Sequence, residues 1–141
     1  MSKFSNYTEA NIVGTTLRGV AFPVPAGTYI AMFTADPTDA DNTANETTVA
    51  AWPAYTRQDC AAGGLISTGW TAPSDGATSN AKALTFPANN GAGAVTLTHI
   101  GIYDAATGGN LLYHSPLTAS KTLQIGDVIS FAIGSITVTV A

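Results

Sequence analysis

The sequence predicts a mainly β protein: an antiparallel β-sandwich, jelly-roll-like or a partly open barrel, with one short N-terminal helix. Three observations carry this expectation. Turn signals recur at short intervals from residue 28 onward, with no second stretch of helical period. Of the 141 residues, 45% are hydrophobic and only 10% are charged, and Thr, Ser, Asn, Ala and Gly make up the difference. An ordinary domain carries about a quarter charged residues, and Thr is the polar residue best suited to the solvent face of a strand. Apolar residues follow a three- to four-residue spacing in one place only, near the N-terminus.

That place is Ser5 to Gly19. Ser5 or Asn6 can cap the helix, Glu9 falls in its first turn, and Gly19 is a natural stop. Phe4, Tyr7, Ala10, Val13 and Leu17 make one apolar stripe, while Gly14 and the pair Thr15-Thr16 weaken the helix. Such a helix needs packing to be stable. Its stripe either closes one end of its own sandwich or seats on a neighbour, with Phe4, Tyr7, Val13 and Leu17 as assembly contacts. Pro23 and Pro25 then enforce an extended connector.

Thr28 to Thr34 reads as a strongly apolar strand, Asp36 to Thr47 as a polar loop, and Thr48 to Arg57 as a strand that Pro53 confines to an edge or a bulge. Leu65 to Trp70 is a further short strand, Pro73-Ser-Asp-Gly76 a turn, Ala81 to Phe86 a strand and Pro87 to Gly93 a turn cluster. Val95 to Tyr103 and the segment after Asn110 form a hairpin around the loop Asp104-Ala-Ala-Thr-Gly-Gly-Asn110. The apolar phase shifts from Val95 and Leu97 to Ile100 and Ile102, which implies a bulge or burial of both faces. The C-terminal arm holds Val128, Ile129, Phe131 and Ile133, then Ile136, Val138 and Val140 alternating with Thr137 and Thr139, with a break at Gly134-Ser135.

The length fits one domain over residues 1–141, with 1–26 as helix and connector. No repeat, heptad or collagen-like glycine period is present, so the chain reads as a compact knob rather than a fibrous shaft. The net charge is −4, and the five basic residues Lys3, Arg18, Arg57, Lys82 and Lys121 are scattered, which argues against a nucleic-acid partner. No apolar run reaches the length of a membrane span, and the start lacks the apolar core of a signal peptide, so neither membrane insertion nor an obvious export route is expected. Cys60 is the only cysteine, which leaves burial or an interchain disulfide.

Chemistry-bearing constellations are sparse. His99 and His114 lie on opposite arms of the hairpin, with Asp104 near its loop; they read either as a zinc or acid–base pair or as polar strand positions, but no metal-binding spacing accompanies them. Asp39, Asp41 and Glu46 in the loop Asp36–Glu46 can offer carboxylates to calcium, yet the loop lacks EF-hand spacing and reads first as an ordinary solvated loop. No nucleophile elbow or phosphate loop occurs. No catalytic residue, cofactor or metal is therefore assigned. Trp52, Tyr55 and Trp70 are what a glycan-binding surface would use, but the stronger reading is that they fill the core or make subunit contacts, since a sandwich of this size needs aromatic fillers.

Several segments carry a resemblance. They are Asn6-Tyr7, Phe33-Thr-Ala-Asp-Pro37, Tyr55-Thr-Arg57, Phe86-Pro87, Lys121-Thr122, Gly126-Asp127 and Ile136-Thr-Val-Thr-Val140. The most specific is the block Thr98-His-Ile-Gly-Ile-Tyr-Asp-Ala-Ala-Thr-Gly-Gly-Asn-Leu-Leu-Tyr113. With these the chain resembles a family of small bacteriophage virion structural proteins, often labelled tail-fibre proteins. The resemblance implies a non-enzymatic component of the virion, made in the host cytoplasm. It would act as capsid decoration or cement, or as a tail, neck or fibre-attachment protein, with major capsid or tail and neck proteins as partners. A host-surface carbohydrate-binding adhesin is the alternative. Low charge with abundant Thr, Ala and apolar residues points to a homo-oligomer, expected to be a trimer if it decorates threefold positions or caps a fibre.

Overall fold

Local sequence chemistry sets the first element of the computed structural model, which describes residues 2–61 and 64–140. Lys3–Phe4 (β1) leads into helix α1, Asn6–Arg18. Ser5 is the N-cap and its hydroxyl accepts the Thr8 amide; Gly19 closes the helix in the left-handed conformation at φ 67°, its N–H donating to the Gly14 carbonyl. The connector through Pro23 and Pro25 leads to β2, Tyr29–Phe33. Then follow β3, Gln58–Asp59; β4, Ala77–Ser79; β5, Leu84–Thr85; β6, Val95–Tyr103; β7, Leu111–Leu123; β8, Ser130–Phe131; and β9, Thr137–Thr139.

The strands of the described residues pair antiparallel. A five-stranded sheet runs in the order β1-β7-β6-β2-β3, and two ribbons, β4-β9 and β5-β8, stand apart from it. The architecture is thus the expected one, mainly β with a single N-terminal helix, and the sheet does not close into a barrel. Ile30, Met32, Ile102 and Leu112 pack from one face of the large sheet against Trp52, Tyr55, Leu84 and Phe86, and against Ile129, Ile136 and Val138 of the ribbon side. Ala31, Phe33, Tyr103 and Leu111 form a smaller cluster of their own. Alternate residues of β2 therefore enter different clusters, which explains why its sequence is apolar throughout rather than alternating.

The hairpin β6-β7 is the longest pairing. Its loop is closed by Asp104, whose carboxylate accepts both the backbone and side-chain N–H of Asn110 at 2.7 and 2.8 Å. Gly108 and Gly109 adopt φ 61° and 73°, and a Cβ on Gly109 would strike the Asp104 carboxylate. The shift in apolar phase is a register irregularity between Leu97 and His99. Asp75 and Gly76 both have positive φ at the turn between Ser74 and Ala77, the requirement of a tight hairpin turn.

Four expected strands are not formed as expected; of Ala81–Phe86 only Leu84–Thr85 is strand. Thr48–Arg57 turns instead: Trp52 N–H donates to the Thr48 carbonyl and Tyr55 N–H to the Trp52 carbonyl, so Pro53, which has no N–H, sits in a coil of turns that plugs Trp52 into the core. Leu65–Trp70 contains a 3₁₀ turn, Ile66–Thr68, in place of a strand, and is tied to the rest by the bridge Trp70–Asn80, by the Ala81 N–H donating to the Gly69 carbonyl and by the Trp70 indole. A Cβ on Gly69 would lie 2.5 Å from the Cys60 carbonyl, so the chain passes backbone against backbone there. The arm Val128–Ile133 contributes only Ser130–Phe131 as strand, with Val128 and Ile133 exposed. The break at Gly134 is present, with φ 79°.

Candidate assembly surface

The polar residues singled out above are distributed over the fold as ties between segments. The acids of the loop 34–46 hold it to three other parts of the chain. Asp39 Oδ1 lies 2.8 Å from Nε2 of the buried His114, whose Nδ1 faces Asp36 Oδ1 at 3.3 Å. Asp41 accepts the Tyr103 hydroxyl. Glu46 accepts Arg57 through both carboxylate oxygens, at 2.8 and 2.7 Å, and the Tyr55 hydroxyl at 2.8 Å. Asp39, Asp41 and Glu46 therefore do not converge on a calcium site, and no group of three or more His, Cys, Asp or Glu among the described residues is arranged to hold a metal ion. The histidines stand beside Asp36 and Asp39, not Asp104, which is occupied with Asn110. The Thr38 amide, donating to Asp36, holds that carboxyl below its usual value; partial burial opposes this, and nearby His99, His114 and Lys3 reinforce it.

Arg57 is the centre of this network. Its remaining donors reach the Ala105 and Gly108 carbonyls at 3.0 and 2.7 Å, and its guanidinium carbon lies 3.4 Å from the Tyr103 ring centroid. Burial opposes the charge, but the Glu46 carboxylate more than offsets it and raises the guanidinium pKa further. The sequence showed only a scattered base here. The signal that could have revealed its role, a lone Arg beside an aromatic with an acid upstream, is too common to be specific.

Two rings of the aromatic trio sit in the core. Trp52 is fully buried, its ring tilted against Tyr55 and Phe86 at 5.4 and 6.0 Å and its Nε1 donating to the Ala88 carbonyl. Tyr55 is buried with its hydroxyl between the Met32 amide and Glu46. Neither ring has a free face for stacking on a sugar. Trp70 is half-buried and donates to the Thr28 hydroxyl. It borders a cavity of about 260 Å³ between the connector and the sheet, lined also by Phe22, Pro25, Ile102, Leu112 and Tyr113, and none of the lining residues is charged. Cys60 is buried, and burial pushes its thiol up to about 11, so the folded chain offers no sulfur for an interchain bridge.

The apolar stripe of the helix divides. Phe4 packs on Tyr113 with ring centroids 5.4 Å apart, and Tyr7 lies against the main core. The helix itself is fastened by hydroxyls: Ser5 Oγ donates to the Leu111 carbonyl, and Thr8 Oγ1 donates to the Leu112 carbonyl at 2.9 Å. From there outward the stripe leaves the body. Val13 is 52% exposed and Leu17 79%, and the connector continues with Val20 at 54% and Val24 at 81%. Val13, Leu17, Val20 and Val24 thus form an apolar band along one helix and its connector, the arrangement expected of a surface that a partner covers.

No helix among the described residues is long and apolar enough to cross a membrane. The family model described as "Podophage GP4 fiber I protein gp80" matches residues 3–139. No curated protein matches the chain.

Proposed function

The chain belongs to the Podophage GP4 fiber I protein gp80 family, and from that premise we infer that it is a non-enzymatic β-sandwich unit of the phage fibre, joined to its neighbours in the particle through the outer face of α1 and the connector. Membership makes it a phage virion protein of the fibre type. The finer reading rests on one observation, the exposed band from Val13 to Val24. Residues 1–26 would serve as the attachment segment and the remainder as the knob, acting as one domain. The adhesin reading retains only Trp70 of its three rings, so the fibre reading is preferred to it. Capsid decoration would use the same band but requires a copy number matching the capsid lattice.

The test is incorporation into particles. Val13→Ser combined with Leu17→Ser changes only exposed side chains, so the fold should hold to within about 0.5 kcal/mol. The variant is expected to fold normally and to be lost from purified virions, read by mass spectrometry. Normal incorporation would overturn the assigned surface. Copy number in wild-type particles at the level of the capsid lattice would overturn the fibre position.

A further inference from the structure

We propose that the partner on the outer face of α1 is a second copy of this chain, the two helices packing antiparallel about a twofold axis; this rests on the assembly reading above. Glu9, Ala10, Val13, Gly14, Leu17 and Arg18 recur at i, i+1, i+4, i+5, i+8 and i+9 and so share one stripe. Thr8 lies on the opposite side, facing β7. All six residues are exposed except Gly14, which is half-covered. Neither Glu9 nor Arg18 has an ion-pair partner among the described residues.

The stripe complements itself when reversed. Its midpoint lies between Val13 and Gly14, with an acid and a base equally far to either side. Laid antiparallel on a second copy, Glu9 meets Arg18, Ala10 meets Leu17, and Val13 meets Gly14 of the other copy. Opposite charges face each other at both ends, and a small residue faces a large one at every level between. A parallel pair would set Glu9 against Glu9 and Arg18 against Arg18. Twofold symmetry makes each of these contacts twice, and the antiparallel helix dipoles add to the fit.

Gly14 supplies an independent observation. A glycine in the middle of a helix costs about 1 kcal/mol relative to alanine, so its presence asks for a reason within the fold. None is found: an added Cβ would meet only Val20 Cβ at an ordinary 3.9 Å, and φ is not positive. The bare backbone leaves a notch on the exposed face, and Val13 of a second copy is placed to fill it. One helix face is a small interface, so the association is weak and grows with concentration.

The test is sedimentation equilibrium of the full chain over a concentration series. Wild type is expected to form a reversible dimer. Glu9→Arg and Arg18→Glu, each alone, set like charges together twice per dimer and should weaken it by about tenfold or more. The double reversal Glu9→Arg/Arg18→Glu should restore it, and an equimolar mixture of the two single variants should dimerise where neither does alone. Each reversal opposes the dipole of its own helix, so the recovery in the double variant cannot come from a firmer helix. A wild type that stays monomeric, a trimer, or a double variant as weak as the singles would overturn the proposal. A monomeric wild type whose Val13→Ser/Leu17→Ser form is still lost from particles overturns the self-pairing and upholds the assembly surface. A dimer whose Val13→Ser/Leu17→Ser form still enters particles does the reverse.

Discussion

Arg57 joins parts of the chain that lie far apart in sequence. It holds Glu46 with two hydrogen bonds, covers Tyr103, and ties the hairpin loop through the Ala105 and Gly108 carbonyls. Its side chain is 6% exposed and that of Glu46 15%, so the pair is nearly out of water. Removing one member of such a pair leaves the other charge buried and unpaired. Arg57→Ala is therefore expected to cost about 3–5 kcal/mol, read as a lower midpoint of urea unfolding. Arg57→Lys should recover little, because a single ammonium cannot serve both Glu46 oxygens and two carbonyls at once. Loss below about 1 kcal/mol, the scale of a surface ion pair, would show that water screens the site. None of this was legible locally. The partners of Arg57 are 11, 46, 48 and 51 residues away and meet it only once β2, β6 and β7 have paired.

Among the elements, α1 was the most legible. Ser5, Glu9 and Gly19 marked both ends because capping chemistry is local, requiring only a hydroxyl, an acid and a glycine at fixed offsets. The face it turns inward was legible only in part: Phe4 and Tyr7 of the apolar stripe do pack inward, but Val13 and Leu17 do not, and the docking is completed by the Ser5 and Thr8 hydroxyls on β7 carbonyls. Apolar periodicity cannot register a polar contact of that kind. The β6-β7 hairpin was legible for the same reason as the caps, since Asp104, Gly108, Gly109 and Asn110 act on one another within a few residues. Segments 48–57 and 65–70 do not form the expected strands because the residues that pack inward, Trp52 and Tyr55 fully and Trp70 in part, are placed by turns rather than by a ladder. The helix also yields a prediction. Gly14→Ala meets only Val20 Cβ at 3.9 Å, so it should raise unfolding stability by about 0.5–1 kcal/mol through helix propensity. If the second copy uses that notch, the same change should weaken dimerisation. A variant that is both more stable and less associated distinguishes a glycine kept for a partner from one without a purpose; unchanged association would argue against the notch.

For the whole molecule, the acids of the loop 36–46 are the clearest case of meaning supplied by tertiary structure. In sequence they resembled a solvated or calcium-binding loop. In the fold they tie it to His114, Tyr103 and Arg57. The same arrangement makes the molecule sensitive to base. Burial pushes the Cys60 thiol from 9.0 to about 11. Burial also raises the Tyr55 and Tyr103 phenols above the usual tyrosine range; for Tyr55 the neighbouring Glu46 adds to this, and for Tyr103 the hydrogen-bonded Asp41 does. In the unfolded chain the thiol titrates near 9 and the phenols near 10. As pH rises through those values the unfolded chain releases protons that the folded one keeps, so stability falls. Cys60 alone accounts for a loss on the order of 2–3 kcal/mol between pH 9.0 and about 11. The acid side is milder: Asp36, with its carboxyl held low, loses its contribution below 3.8, and it is 43% exposed. The urea midpoint is therefore expected to fall from about pH 9. Phenolate absorbance should appear for Tyr55 and Tyr103 only together with unfolding. A midpoint that holds level from about pH 8 to 11, or phenolate absorbance from all five tyrosines in the folded protein, would contradict the burial of these groups.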